Sequence, residues 1–135
     1  MDIQLIPLES GQTRQPPAQD LGFCLHFANR MFTQRYSKGR GWHDARIEPY
    51  GPLQLAPSTA VFHYAQLIFE GLKAYRRPDG HINLFRPMEN MRRFNNSARR
   101  MAMATVDEEE HLEACLLYTS PSPRDRTRSR MPSSA

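Results

Sequence analysis

Few side chains in this sequence could do chemistry, and most have an ordinary structural role open to them. His43-Asp44, within Gly-Trp-His-Asp-Ala-Arg, has the composition of an acid–base pair. Adjacent residues rarely aim at one spot, so a structural or surface role is expected instead. Lys38 and Lys73 are the only lysines. A buried lysine can condense with a cofactor aldehyde, but Lys38 lies in a glycine-rich loop and Lys73 alternates with Leu72 and Ala74 in a strand-like run. Neither is expected to act that way. His63-Tyr64 leads an apolar run and reads as core packing, while Arg92, Arg93, Arg99 and Arg100 read as the solvated face of a helix. Phosphate loops of the G-x-x-x-x-G-K-[ST] and G-x-G-x-x-G types are absent, as are H-E-x-x-H and CxxC. Cys24 and Cys115 lie far apart without metal or redox spacing, so a reducing, cytoplasmic setting is the default expectation. On spacing alone, the chain is a soluble α+β fragment of unassigned function.

The elements that must position these residues are partly legible. Residues 1–20 read as a flexible arm, closed by Pro16-Pro17. Phe23, Leu25 and Phe27 alternate, which predicts a strand. Ser37 to Gly41 is a loop, and Arg46 to Gly51 a short extended piece closed by a turn. Val61 to Glu70 predicts a buried turn of helix broken at Gly71. Leu72–Arg76 and His81–Phe85 flank Pro78-Asp79-Gly80, a strong hairpin signal. Pro87 suits the first turn of a helix, in which Met91, Phe94, Ala98 and Met101 form one apolar stripe. Thr105-Val106-Asp107-Glu108 resembles a capping box opening a further helix.

From Cys115 the composition shifts to Ser, Pro and Arg. Reverse translation of Cys115 to Asp125 gives a DNA string that resembles a transposon-type sequencing adapter, and the frame continues through the remainder of the tail. Residues 115–135 are therefore expected to be a non-native, translated-adapter tail, to be set aside in reading the fold. This tail holds Arg124, Arg126, Arg128 and Arg130 against Asp125, so it carries three of the four net positive charges and the remainder only +1. No nucleic-acid footprint is left. No run of about 18 apolar residues is present to span a membrane, and the N-terminus lacks a secretory pattern.

Three stretches together resemble the branched-chain amino acid aminotransferases, which are fold type IV pyridoxal-phosphate enzymes. They are Lys38 to Leu53 (KGRGWHDARIEPYGPL), Phe62 to Tyr75 (FHYAQLIFEGLKAY), and Leu84-Phe85-Arg86-Pro87 followed by Asn90, Met91, Arg93 and Ser97 to Arg100. The resemblance runs from about Leu21 to Met103. It departs from the family at Met101 to Ala104, where a cysteine and a proline are usual, and at Cys24-Leu25-His26, which replaces a Gly-Lys. It implies an α+β architecture in which residues 21–114 are the incomplete N-terminal small domain of the aminotransferase. It also implies that Arg93 holds the phosphate of pyridoxal 5'-phosphate, that Phe23, Tyr64 and Phe69 wall the substrate side-chain pocket, and that Glu70-Gly71 is a structural turn. The family's catalytic lysine lies downstream, beyond Ala114, and no residue here matches it. The implied parent reaction passes the amine of L-leucine, L-isoleucine or L-valine to 2-oxoglutarate, in a cytoplasmic homodimer with neither nucleic acid nor membrane as partner.

Two other readings stay open from sequence. One is another fold type IV enzyme, such as a lyase acting on a chorismate-derived amine. The other is a non-catalytic binding module that recruits nucleic acid or membrane through a basic tail.

Overall fold

A computed structural model describes residues 2–9 and 25–119. Phe23, most of the expected arm and everything from Ser120 lie outside the described residues. The architecture is mixed α/β with small sheets. Its residues fall into two compact units, one holding the described residues up to Arg35, His43–Gly51 and those from Ala114, the other Tyr36–Trp42 and Pro52–Glu113.

A three-stranded sheet is formed by β1 (Gln4–Leu5), β2 (Arg30–Ser37) and β3 (Gly41–Pro49), in the order β1-β3-β2; most of it belongs to the first unit, and the ends of β2 and β3 with their turn to the second. Three residues join β2 to β3, a connection short enough only for an antiparallel return. Gly39 and Gly41 take positive φ of 91° and 76° there, which glycine adopts without a Cβ clash. β1 runs parallel to β3, pairing Gln4 with Arg46 and Leu5 with Ile47. Arg30 Nη1 donates to the Ile6 carbonyl at 2.7 Å, tying β2 to the chain just after β1. Ala45 and Ile47 are buried on one face of β3, as the period of two requires.

Of the expected strand at Phe23–Phe27, the first two residues lie outside the described residues, and Leu25 and Phe27 precede β2, which starts at Arg30. The glycine-permitted turn at residues 38–40 fixes which residues pair, and this outweighs the local alternation. Phe27 instead stacks on Tyr50, with centroids 5.1 Å apart.

In the second unit, α1 (Ala60–Tyr64) is a single exposed turn, with no buried residue. Sequence analysis expected a longer, buried turn broken at Gly71. Ala65, with φ 47°, ends the helix six residues earlier, and residues 65–73 are irregular. The Asp79-Gly80 hairpin forms as expected between β4 (Ala74–Arg76) and β5 (Ile82–Leu84), with Tyr75 opposite Asn83. Pro87 opens α2 (Pro87–Arg100), whose stripe buries Met91 and Ala98 and half-buries Phe94. The helix exit, where the family's cysteine and proline are missing, closes by itself. Ala102 turns left-handed at φ 53° and Met103 N donates to Ala98 O at 2.8 Å, the bond of a Schellman closure.

α3 (Glu108–Thr119) is capped by Asp107, whose carboxylate accepts from the backbone N–H groups of Glu109 and Glu110 at 3.1 and 2.9 Å. The expected capping box had placed that role on Thr105. Thr105 is instead occupied through its carbonyl, which accepts from Trp42 Nε1 at 2.7 Å. α3 continues past Ala114, and Cys115 to Tyr118 are half-buried.

Candidate functional site

Two residues of α2, Asn90 and Arg93, are three positions apart, so their side chains leave the helix on one face. Both reach Glu70, in the irregular stretch before the hairpin. Asn90 is buried, and its Nδ2 donates to Glu70 Oε1 at 3.0 Å and to the Gly71 carbonyl at 2.7 Å. The Gly71 N–H also donates to Oε1, at 3.2 Å. Arg93 completes the arrangement, with Nη2 2.5 Å from Oε1 and Nε 3.2 Å from Oε2. The carboxylate is sheltered and the guanidinium is not: their side chains are 13% and 63% exposed. Arg93's hydrogen bonds, ahead of the opposing effect of burial, hold the Glu70 carboxyl below its ordinary value, with help from Asn90 and Gly71. Arg93 is in turn pushed above its usual range by the hydrogen bonds to Glu70.

Beyond Arg93 the same face of α2 carries Asn96, Ser97 and Arg100. With Leu67, Ile68, Phe69 and Met101 these line an open hollow of about 600 Å³. Its floor is apolar on the 67–69 side and polar on the helix side. Such a hollow can take a ligand with an apolar part and a polar or anionic part. Phe69 is 82% exposed and contributes its ring to this lining. Tyr64, also 82% exposed, is not among the lining residues; its ring meets His63 edge-on with centroids 6.5 Å apart. Phe23 lies outside the described residues. Of the four residues assigned through the resemblance, then, Phe69 and Arg93 are placed on one side of the second unit.

Glu70 and Asn90 were missed as side chains of the site, although the signal was present. A glutamate that precedes a glycine and an asparagine three positions before an arginine are complementary in charge and hydrogen bonding, yet separated by a hairpin. The side chains of His43 and Asp44 do come together, with Nδ1 3.0 Å from Oδ2, a contact compatible with the structural role expected of them. Asp44 has a left-handed backbone, φ 53°. Lys73 is exposed and Lys38 sits in the β2–β3 turn, also exposed.

The chain is 53% identical over 100 residues to branched-chain-amino-acid transaminase 1 of Bacillus subtilis, covering 74% of this chain and 28% of that protein. A probable branched-chain-amino-acid aminotransferase of Streptomyces coelicolor is 53% identical over 94 residues, 70% of this chain and 26% of its own length. One from Staphylococcus aureus is 46% identical over 112 residues, 82% of this chain and 31% of its own. This sequence belongs to the branched-chain aminotransferase family. It spans between a quarter and a third of the length of these relatives. No family model matches it. Within this branched-chain aminotransferase sequence, the described residues bring together no group of three or more His, Cys, Asp or Glu that could hold a metal ion. No helix among them is long and apolar enough to cross a membrane.

Proposed function

We propose that the chain is the N-terminal part of a fold type IV aminotransferase that moves the amine of L-leucine, L-isoleucine or L-valine to 2-oxoglutarate with pyridoxal 5'-phosphate. In this reading the parent is a cytoplasmic homodimer, residues 21–114 form its small domain in incomplete form, and residues 115–135 are the translated-adapter tail. The observation that carries it is the Arg93 guanidinium, fixed from behind by Glu70 and open in front.

The donor set fits the cofactor's phosphate. A guanidinium has five N–H groups, and two of the Arg93 nitrogens face Glu70, so outward N–H groups remain for a dianion that arginine pairs well with. Phe69, at the rim of the hollow, offers a rigid apolar wall, and a branched aliphatic side chain can be recognised only by shape and apolar area. Tyr64 and Phe23 are assigned to the same wall by the resemblance. When bound, the cofactor supplies the aldehyde that takes up the amine and the ring that draws electrons away from the reacting carbon. The chain's own part is to hold the phosphate end, line the pocket and exclude water. The proton-transferring lysine belongs to the remainder of the parent enzyme.

The test is to express the parent gene read past Ala114 and assay leucine, isoleucine and valine with 2-oxoglutarate. Glutamate formation dependent on pyridoxal 5'-phosphate is expected. A parent enzyme that transaminates none of the three, or acts instead as a lyase, would overturn the assignment.

A further inference from the structure

The ion pair raises a question that the phosphate assignment leaves unanswered: why a guanidinium meant for an anion should already be held by a carboxylate. Two answers are physically possible. Glu70 could compete with the phosphate and have to release Arg93, or it could aim Arg93 and stay in place.

The geometry points to the second: we propose that Glu70 is a positioning residue, a fixed carboxylate that orients Arg93 for the cofactor phosphate and is not displaced by it. This rests on the reading of Arg93 given above. Glu70 is itself immobilised. Oε1 accepts from the Gly71 N–H and from Asn90 Nδ2, at 3.2 and 3.0 Å, before Arg93 is counted. Asn90 is in turn pinned by its second bond, to the Gly71 carbonyl at 2.7 Å. A carboxylate held by two donors of its own is not free to swing away when a ligand arrives. The pair also uses only one edge of the guanidinium, the Nε–Nη2 edge. The Nη1 edge is the other side of the planar fork, and an anion can approach it without breaking the pair. An unpaired arginine of this exposure would have many rotamers to lose on binding. The Glu70 anchor removes that loss beforehand, which is preorganisation.

The two answers predict opposite signs. In the full-length enzyme stripped of cofactor, the dissociation constants of pyridoxal 5'-phosphate and of pyridoxal, which lacks the phosphate, are measured by absorbance titration. If Glu70 positions Arg93, E70Q weakens pyridoxal 5'-phosphate roughly three- to ten-fold, the scale of re-ordering one rotamer-rich side chain. It leaves pyridoxal within about two-fold, as a merely structural defect would not. N90A, which frees the carboxylate without removing its charge, gives a smaller loss of the same sign and covers the case in which E70Q folds poorly. In an R93A background E70Q adds nothing. Unchanged or tighter binding of pyridoxal 5'-phosphate by E70Q, or equal losses for both ligands, would overturn the inference. If R93A itself leaves pyridoxal 5'-phosphate affinity unchanged, it is the phosphate assignment that falls, and the positioning role with it.

Discussion

Two asparagines of α2, five positions apart, tie irregular chain to the helix, and they do it in different ways. Asn95 is 3% exposed. Its Nδ2 donates to the Val106 carbonyl at 2.9 Å and its Oδ1 accepts the Val106 N–H at 2.9 Å. The amide thus supplies both halves of a backbone-like pairing, and holds the approach to α3 against α2. Phe94 stacking on His111, with centroids 4.8 Å apart, covers the same junction. Asn90 also has a backbone carbonyl as one partner, but its other is a carboxylate that passes on to an exposed arginine. Asn95 Nδ2 also reaches Glu108 Oε1, at 3.3 Å, and Glu108 Oε2 lies 3.9 Å from Arg92 Nε, so the first clamp is mainly a backbone pairing with a looser charged contact beside it. The second ends in a charge held at the surface. The two asparagines thus differ in emphasis: Asn95 chiefly pairs with backbone, whereas Asn90 chiefly fixes a carboxylate that is bound closely by an exposed arginine.

Breaking the Asn95 clamp gives the largest expected effect. Asn95→Ala strands the N–H and C=O of Val106, and we expect the full-length enzyme to lose about 2–3 kcal/mol. This is read as a lower urea midpoint at unchanged slope; an unaltered midpoint would show that the junction is held elsewhere. A smaller effect is expected at the open side of the site. Phe69→Ala should raise KM for leucine about ten-fold, the loss of part of one buried aromatic contact. Tyr64→Ala, outside the hollow's lining, should raise it less. Equal effects would mean that the hollow is not the substrate wall. The smallest effect is on pH. Glu70's carboxyl is held below its ordinary 4.5, so its contribution to stability is present above that value and is lost as pH falls through the lowered one. E70Q should flatten the acid-side slope of stability in that window and leave stability at neutral pH less dependent on salt. An unchanged slope would mean that the pair contributes nothing in solution.

The same contrast explains what could be read from the sequence. The apolar stripe of α2, Pro87 at its start and the Asp79-Gly80 hairpin were legible because each is a local pattern with one geometric solution. The length of α1 was not. Its ending depends on a left-handed alanine, Ala65, which no residue type announces, whereas Gly71 looked like the natural break. β2 was misplaced because the turn that sets its register lies after it. Asp107 rather than Thr105 caps α3, while Trp42 and Asn95 take up the backbone of Thr105 and Val106 just before it. Of the candidate site, Arg93 was named only through the resemblance. The Glu70 and Asn90 contacts that hold it were not, since each crosses 19 or more positions.

Trp42 is the only tryptophan of the chain, and its indole N–H is bound to Thr105 O at 2.7 Å while its ring meets Tyr36 with centroids 5.2 Å apart. Near-ultraviolet light absorbed by this chain is expected to leave it mainly through Trp42, near the start of β3, where that strand meets the segment between α2 and α3. Tyr36, lying so close, is placed to pass its excitation to the indole. This stretch of chain therefore carries one built-in optical probe, whose emission is expected to shift if that contact opens.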